Sequence, residues 1–270
     1  MLVLFTMAEK ENSAFRLHRF IERMLSQGQN IQTAQVLLNA FGVKEQPKDV
    51  WSQNAMVLRV ASLLFAEVRS LKEELTRAGF TGKSLELIDA AFDRLSVAGM
   101  PQQWQNHSAF FKACLNPLHI FGEGLPDEGA HISNAELTDL QKVISDLREE
   151  VQKSDLRQEV KNFVYEQLNI IERAINDYPV TGMKAFKVAV REGVFHEAEH
   201  AEIVIELQNS PQMLSLKKII AKVVQWSGYT AALSKLLSSG DVIYDHAEKG
   251  AHALAKHAHQ VSLWLQHLKK

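Results

Sequence analysis

Cysteine is nearly absent from this chain of 270 residues. Cys114 stands alone, so no internal disulfide can form and no thiolate pair is available for a structural zinc site. A reducing compartment is expected. No apolar run approaches the ~20 residues that a membrane-spanning helix needs. The nearest candidate, Leu214 to Leu237, is interrupted by Lys217, Lys218, Lys222 and Lys235. Met1-Leu2-Val3-Leu4-Phe5 has no basic leader and is shorter than the apolar core of a signal peptide, which adds to a cytoplasmic expectation. Charge of one sign is also missing: 30 basic residues against 32 acidic leave a formal charge of −2, so no overall field draws nucleic acid or an anionic membrane to the surface. Alternating β-branched runs, the mark of half-buried strands, are almost absent too.

What remains is helical. An apolar content of 46% over this length is enough for a substantial core. Thr6-x-x-Glu9 has the form of a capping box for a helix whose inner face is Leu17, Phe20, Ile21 and Met24. Asn30 is placed to cap a short helix ending at Gly42. After Pro47 a long helix carries Val57, Val60, Leu64, Val68, Leu71 and Leu75 as far as Gly79. Another is expected from Ser84 to Gly99, burying Leu87, Ile88, Ala91 and Leu95. These signals predict an all-α, multi-helix bundle of nine or ten helices, divisible into two helical subdomains.

Turn formers and acids concentrate between Gly122 and Gly129, so the chain is read as an N-terminal half (1–121), a linker loop (122–133) and a C-terminal half (134–270). Ser133-x-x-Glu136 opens the most regular helix, whose apolar residues Leu137, Leu140, Ile144, Leu147 and Val151 step by three and four. The rhythm breaks at Lys153-Ser154-Asp155. A second register then runs from Val160 to Tyr178, where Pro179 is expected to stop it. A last helix from about Asp241 repeats a strict seam of Ala247, Ala251, Leu254, Ala258, Val261, Leu265 and Leu268. Leu254, Val261, Trp264, Leu265 and Leu268 make that seam a candidate interaction face for a protein partner or a second copy.

One pentapeptide spells out chemistry. His196-Glu197-Ala198-Glu199-His200 matches H-E-x-x-H, in which two histidines one helical turn apart hold zinc and the glutamate polarises a bound water. The charged Glu199, the lack of an evident third ligand and the absence of a substrate-binding sheet oppose a metallopeptidase. The competing expectation is a polar helix surface at the edge of the core. Arg191-x4-His196 resembles the R-x4-6-H motif of all-helical HEPN ribonucleases, but Glu192 would repel the RNA phosphate, and Gly193 is expected to end the helix between the two residues. His246, His252, His257, His259 and His267 lack the three- or four-residue spacings that aim two imidazoles at one ion. The stretch Leu214–Val224 has a basic amphipathic pattern, expected of a helix packed on its own domain, with contact to a membrane surface as the alternative. Four dispersed tryptophans, Trp51, Trp104, Trp226 and Trp264, read as core or interface anchors.

Between Leu140 and Gly193, the segments from Val143 to Leu147, Ser154 to Leu156, Ile170 to Ile175 and Tyr178 to Gly182 resemble uncharacterised bacterial all-helical cytosolic proteins. The resemblance implies a bacterial, cytoplasmic setting and an accessory role of the phage-defence type, and it carries no catalytic residue. The composite expectation is a non-catalytic binding, scaffold or regulatory protein acting through helix faces, with no cofactor. A zinc hydrolase using Glu197, His196 and His200, or a HEPN-like ribonuclease using Arg191 and His196, are the alternatives.

Overall fold

The structure is a computed structural model that describes residues 10–43, 49–80, 82–129, 131–207 and 210–228. The Thr6-x-x-Glu9 cap, the C-terminal histidines and the seam from Ala247 to Leu268 lie outside the described residues. Those that are described form ten α-helices and two short 3-10 turns, with a single isolated β-bridge between Gln32 and Gln103. The chain divides into two compact units, one of Met1–His131 with Asn176–Gly182, the other of Ile132–Ile175 with Met183–Lys270.

The first unit contains α1 (Ser13–Leu25), α2 (Thr33–Phe41), α3 (Val50–Arg77), α4 (Lys83–Phe92) and α5 (Ser108–Gly124). Helix α1 lies at its centre, packed on α2, α3 and α5, because Leu17, Phe20, Ile21 and Met24 return every three or four residues to one fully buried face. Asn12 is its actual N-cap and accepts from the Phe15 N–H. Helix α2 begins at Thr33 and leaves Asn30 outside. The amides of Thr33 and Ala34 donate to the carbonyls of Gln102 and Met100, at 2.9 and 3.0 Å, so the initial donors are satisfied from a distant segment. Gly42 closes it at φ 89°, where a side chain would be strained. Helix α4 is shorter than its apolar pattern suggested and ends at Phe92, and within it Ile88 and Ala91 are buried while Leu87, expected to be buried with them, is 43% exposed. The chain must then turn so that Trp104, fully buried, reaches Phe111.

Gly122 and Gly124, read as turn formers, are helical and close α5. A Cβ on Gly122 would come 2.7 Å from the Phe15 ring, and one on Gly124 equally near Phe80, so both glycines serve close packing. The following residues are tied to α1: Glu128 N–H donates to the Glu11 carbonyl at 2.7 Å, and Glu11 N–H to Asp127 Oδ1 at 3.2 Å.

Arg16 is the polar centre of this unit. Its guanidinium is 2% exposed, pairs with Glu67, itself 2% exposed, and reaches Glu128 Oε2 at 2.8 Å. Its Nε donates to the Val180 carbonyl at 3.2 Å. Burial opposes the charge, but Glu67 and Glu128 outweigh it and push the pKa upward from its ordinary value. Gly182, at φ 58°, passes so close that a Cβ there would lie 2.7 Å from Arg16 Nη1.

The second unit contains α6 (Asn134–Lys153), α8 (Met183–Glu199), α9 (Ala201–Leu207), α10 (Pro211–Ser227) and the greater part of α7 (Gln158–Thr181). The Ser133–Glu136 capping box forms, and Leu137, Leu140, Ile144, Leu147 and Val151 are buried as their spacing required. The break at Lys153-Ser154 separates α6 from α7. Pro179 does not stop α7, which runs to Thr181, since Tyr178 and Val180 are buried there and packing outweighs the lost backbone bond. Helix α10 packs on α6 and α8 with Leu216, Ile219, Val223 and Val224 buried, so most of the apolar face of Leu214–Val224 is occupied within its own unit and only Leu214 stands out. Among the described residues no helix is long and apolar enough to cross a membrane.

Candidate functional site

The pentapeptide closes α8, and its two histidines do face the same way. They meet Phe163 of α7. The His196 ring stacks on Phe163 with centroids 5.0 Å apart and planes 11° apart, and His200 lies 4.4 Å from His196. Helical spacing of four thus builds an aromatic stack here.

Both ring nitrogens of His196 have partners from α7. Gln167 Nε2 donates to Nδ1 at 3.0 Å and also to the Gly193 carbonyl at 3.1 Å, which leaves Nε2 to donate to Glu166 Oε2 at 2.5 Å. His200 Nδ1 donates to the His196 carbonyl at 3.0 Å. A zinc ion on His196 would have to displace Glu166 or Gln167. Among the described residues, no group of three His, Cys, Asp or Glu side chains is placed to hold a metal. Glu199 is exposed.

Gly193 does not end α8. The helix passes through it because a Cβ would sit 3.1 Å from Gln167 Oε1, so glycine permits the approach of α7. Arg191 and His196 are therefore on one continuous helix, and five positions turn about 140°. Arg191 is exposed while the His196 side chain is 13% exposed, so the helix does not bring the two together.

Glu197 is partly covered, and burial pushes its carboxyl up to about 7, against a smaller opposing pull from Lys217. A carboxyl whose folded pKa lies above its unfolded value of 4.5 binds more protons when folded, so stability falls as pH rises from about 4.5 through 7. Glu197→Gln should remove that slope and raise stability above pH 7 by on the order of 3 kcal/mol. Urea unfolding of both proteins at pH 5 and pH 8 checks this; equal slopes would refute it.

A second feature lies on α3. Trp51, Ala55, Leu58, Ser62, Phe65 and Arg69 step by four and three along its length and are all exposed, with Trp51 at 85% and Leu58 at 53%. This stripe runs beside the buried one and leads into an open hollow of about 770 Å³ lined by Phe65, Val68, Arg69, Lys72, Thr76 and Asp89. Sequence reading missed both features. The sevenfold spacing of Trp51, Leu58 and Phe65 was visible, whereas the role of Phe163, Glu166 and Gln167 required knowing that α7 faces α8.

The fold defines an all-α protein of two compact helical units. No family model, curated protein or solved structure matches the chain.

Proposed function

We propose that this is a non-catalytic binding protein that works through an outward helix face. The observation that carries the reading is the α3 stripe, where tryptophan, leucine and phenylalanine recur at coiled-coil spacing on the exposed side of a helix whose other side already fills the core. The engaged nitrogens of His196 and the separation of Arg191 from it make the hydrolase and ribonuclease readings less economical. The resemblance over 140–193 adds a bacterial cytoplasmic setting of the phage-defence accessory type to this proposal and no chemistry.

A photo-crosslinking amino acid at Leu58, introduced into the chain in its own cells, should form an adduct with protein. The same group at Val143 on α6, which is 46% exposed, should not. Adduct formation at neither position would defeat the binding reading. One equivalent of zinc in the purified chain, lost together with a hydrolytic activity in His196→Ala, would replace it with the metal alternative.

A further inference from the structure

The α3 stripe carries a projecting group and a receiving hollow on the same helix. Trp51 stands at one end, 85% exposed, and the hollow at Phe65, Arg69 and Lys72 lies at the other. Eighteen residues separate Trp51 from Arg69, about 27 Å along a helix. A surface with both parts of one contact can satisfy both at once within a closed pair through a twofold axis, the isologous arrangement of a symmetric dimer.

We propose that α3 pairs antiparallel with α3 of a second copy of this chain, Trp51 of each copy seating in the hollow of the other. The proposal rests on the binding reading above and names its partner. In an antiparallel pair, residues whose numbers sum to a constant lie level. Placing Trp51 level with Arg69 also sets Ala55 against Phe65 and Leu58 against Ser62. Each large apolar side chain in the middle of the seam then meets a small one, as interdigitation requires. A parallel pair would instead set Ser62 on Ser62, Phe65 on Phe65 and Arg69 on Arg69, with like charges opposed.

Charge agrees with the antiparallel choice. Arg69 meets the face of an indole, an attractive contact for a guanidinium. Asp49, the exposed N-cap of α3, comes level with Leu71 of the second copy, between Arg69 and Lys72, the latter also paired with Asp89 of its own chain. The two Arg59 side chains nearest the axis are each neutralised by Asp177 of their own chain. Tryptophan in a pocket at such an interface is the residue type that most often dominates binding energy.

The test uses the full chain in solution. Sedimentation should give twice the chain mass of 30.4 kDa, falling towards one chain on dilution. Trp51→Ala should weaken dimerisation about tenfold or more, with helicity unchanged and with the same melting temperature as the parent once both are dilute enough to be single chains, because the side chain is exposed in one copy. The register is read by oxidising mixtures of Ala55→Cys and Phe65→Cys chains. The mixture should form a disulfide between copies and each variant alone should not. Cross-linking of either variant alone would mean a different pairing and would overturn the proposal, as would a single-chain mass at every concentration. The crosslinker at Leu58 separates the two levels of reading. An adduct with another protein from a chain that sediments as a monomer sinks the dimer and keeps the binding reading, whereas no adduct of any kind sinks both.

Discussion

Replacing Arg16 with leucine is expected to destabilise the first unit by about 3–5 kcal/mol at neutral pH, because removal of one member of a buried ion pair strands the other. Three carboxylates, those of Glu11, Glu67 and Glu128, converge on this guanidinium, and Glu67 is almost completely shielded from water. Without Arg16 the shielded Glu67 carboxylate would lose the guanidinium it pairs with, and burial would then raise its pKa in the folded variant above the unfolded value. The sign of the pH dependence follows. A raised acid binds extra protons in the folded state, so the variant should regain stability as pH falls through that pKa and lose it as pH rises. Urea unfolding at pH 5 and pH 8 reads both effects. A loss below about 1 kcal/mol, the scale of an exposed pair, would mean that the buried network contributes no more than a surface salt bridge. Arg16→Leu combined with Glu67→Leu should recover much of the loss, since of the two remaining carboxylates Glu128 is partly exposed and can be solvated, and Glu11 keeps Arg19 as a partner.

The other large effect is expected at Trp104. Its indole is fully buried, 5.2 Å from Phe111, which in turn meets Phe92 edge-on at 5.5 Å. Trp104→Ala should lower stability by about 3–5 kcal/mol, from lost transfer energy and from the cavity left among side chains that cannot fully collapse. The backbone around it holds α2 in place, with Trp104 N–H donating to the Ile31 carbonyl at 2.8 Å. Hydrogen exchange should therefore report loosening of the α2 start in the alanine variant. Trp104→Phe keeps an aromatic ring against Phe111 and should cost clearly less than alanine. Equal losses for the two substitutions would show that the indole's shape matters more than its volume.

Helix identity was legible where one face is buried and nothing else competes. The spacing in α6 and its Ser133 capping box gave both the inner face and the start of that helix, because both are local. The boundaries that differ from expectation were set by distant partners. Thr33 replaces Asn30 as the beginning of α2 because carbonyls some seventy residues away accept its donors. Pro179 and Gly193 stay helical because burial of Val180 and the approach of Gln167 decide there, and neither is visible along the chain. The histidine pair was legible as a pair. What it touches was not, because Phe163, Glu166 and Gln167 come from a different helix and carry no signature of their own. The α3 stripe was legible in its spacing but masked by its neighbour, since the adjoining core stripe from Val57 to Leu75 already explained the helix.

The first unit is interrupted in sequence, and its last piece, Asn176–Gly182, follows 44 residues that belong to the other unit. A ribosome that has delivered Arg16, Glu67 and Glu128 has not yet made the Val180 carbonyl that completes the guanidinium's set of partners. At about 5–20 residues per second, the wait lasts from about three to ten seconds. During that interval, α6 and most of α7 emerge before the earlier-made helices can close. Translation thus delivers the N-terminal half of the chain first but finishes its core late. A nascent chain halted at His131 should bind fluorescent hydrophobic dyes that one halted well beyond Gly182 excludes.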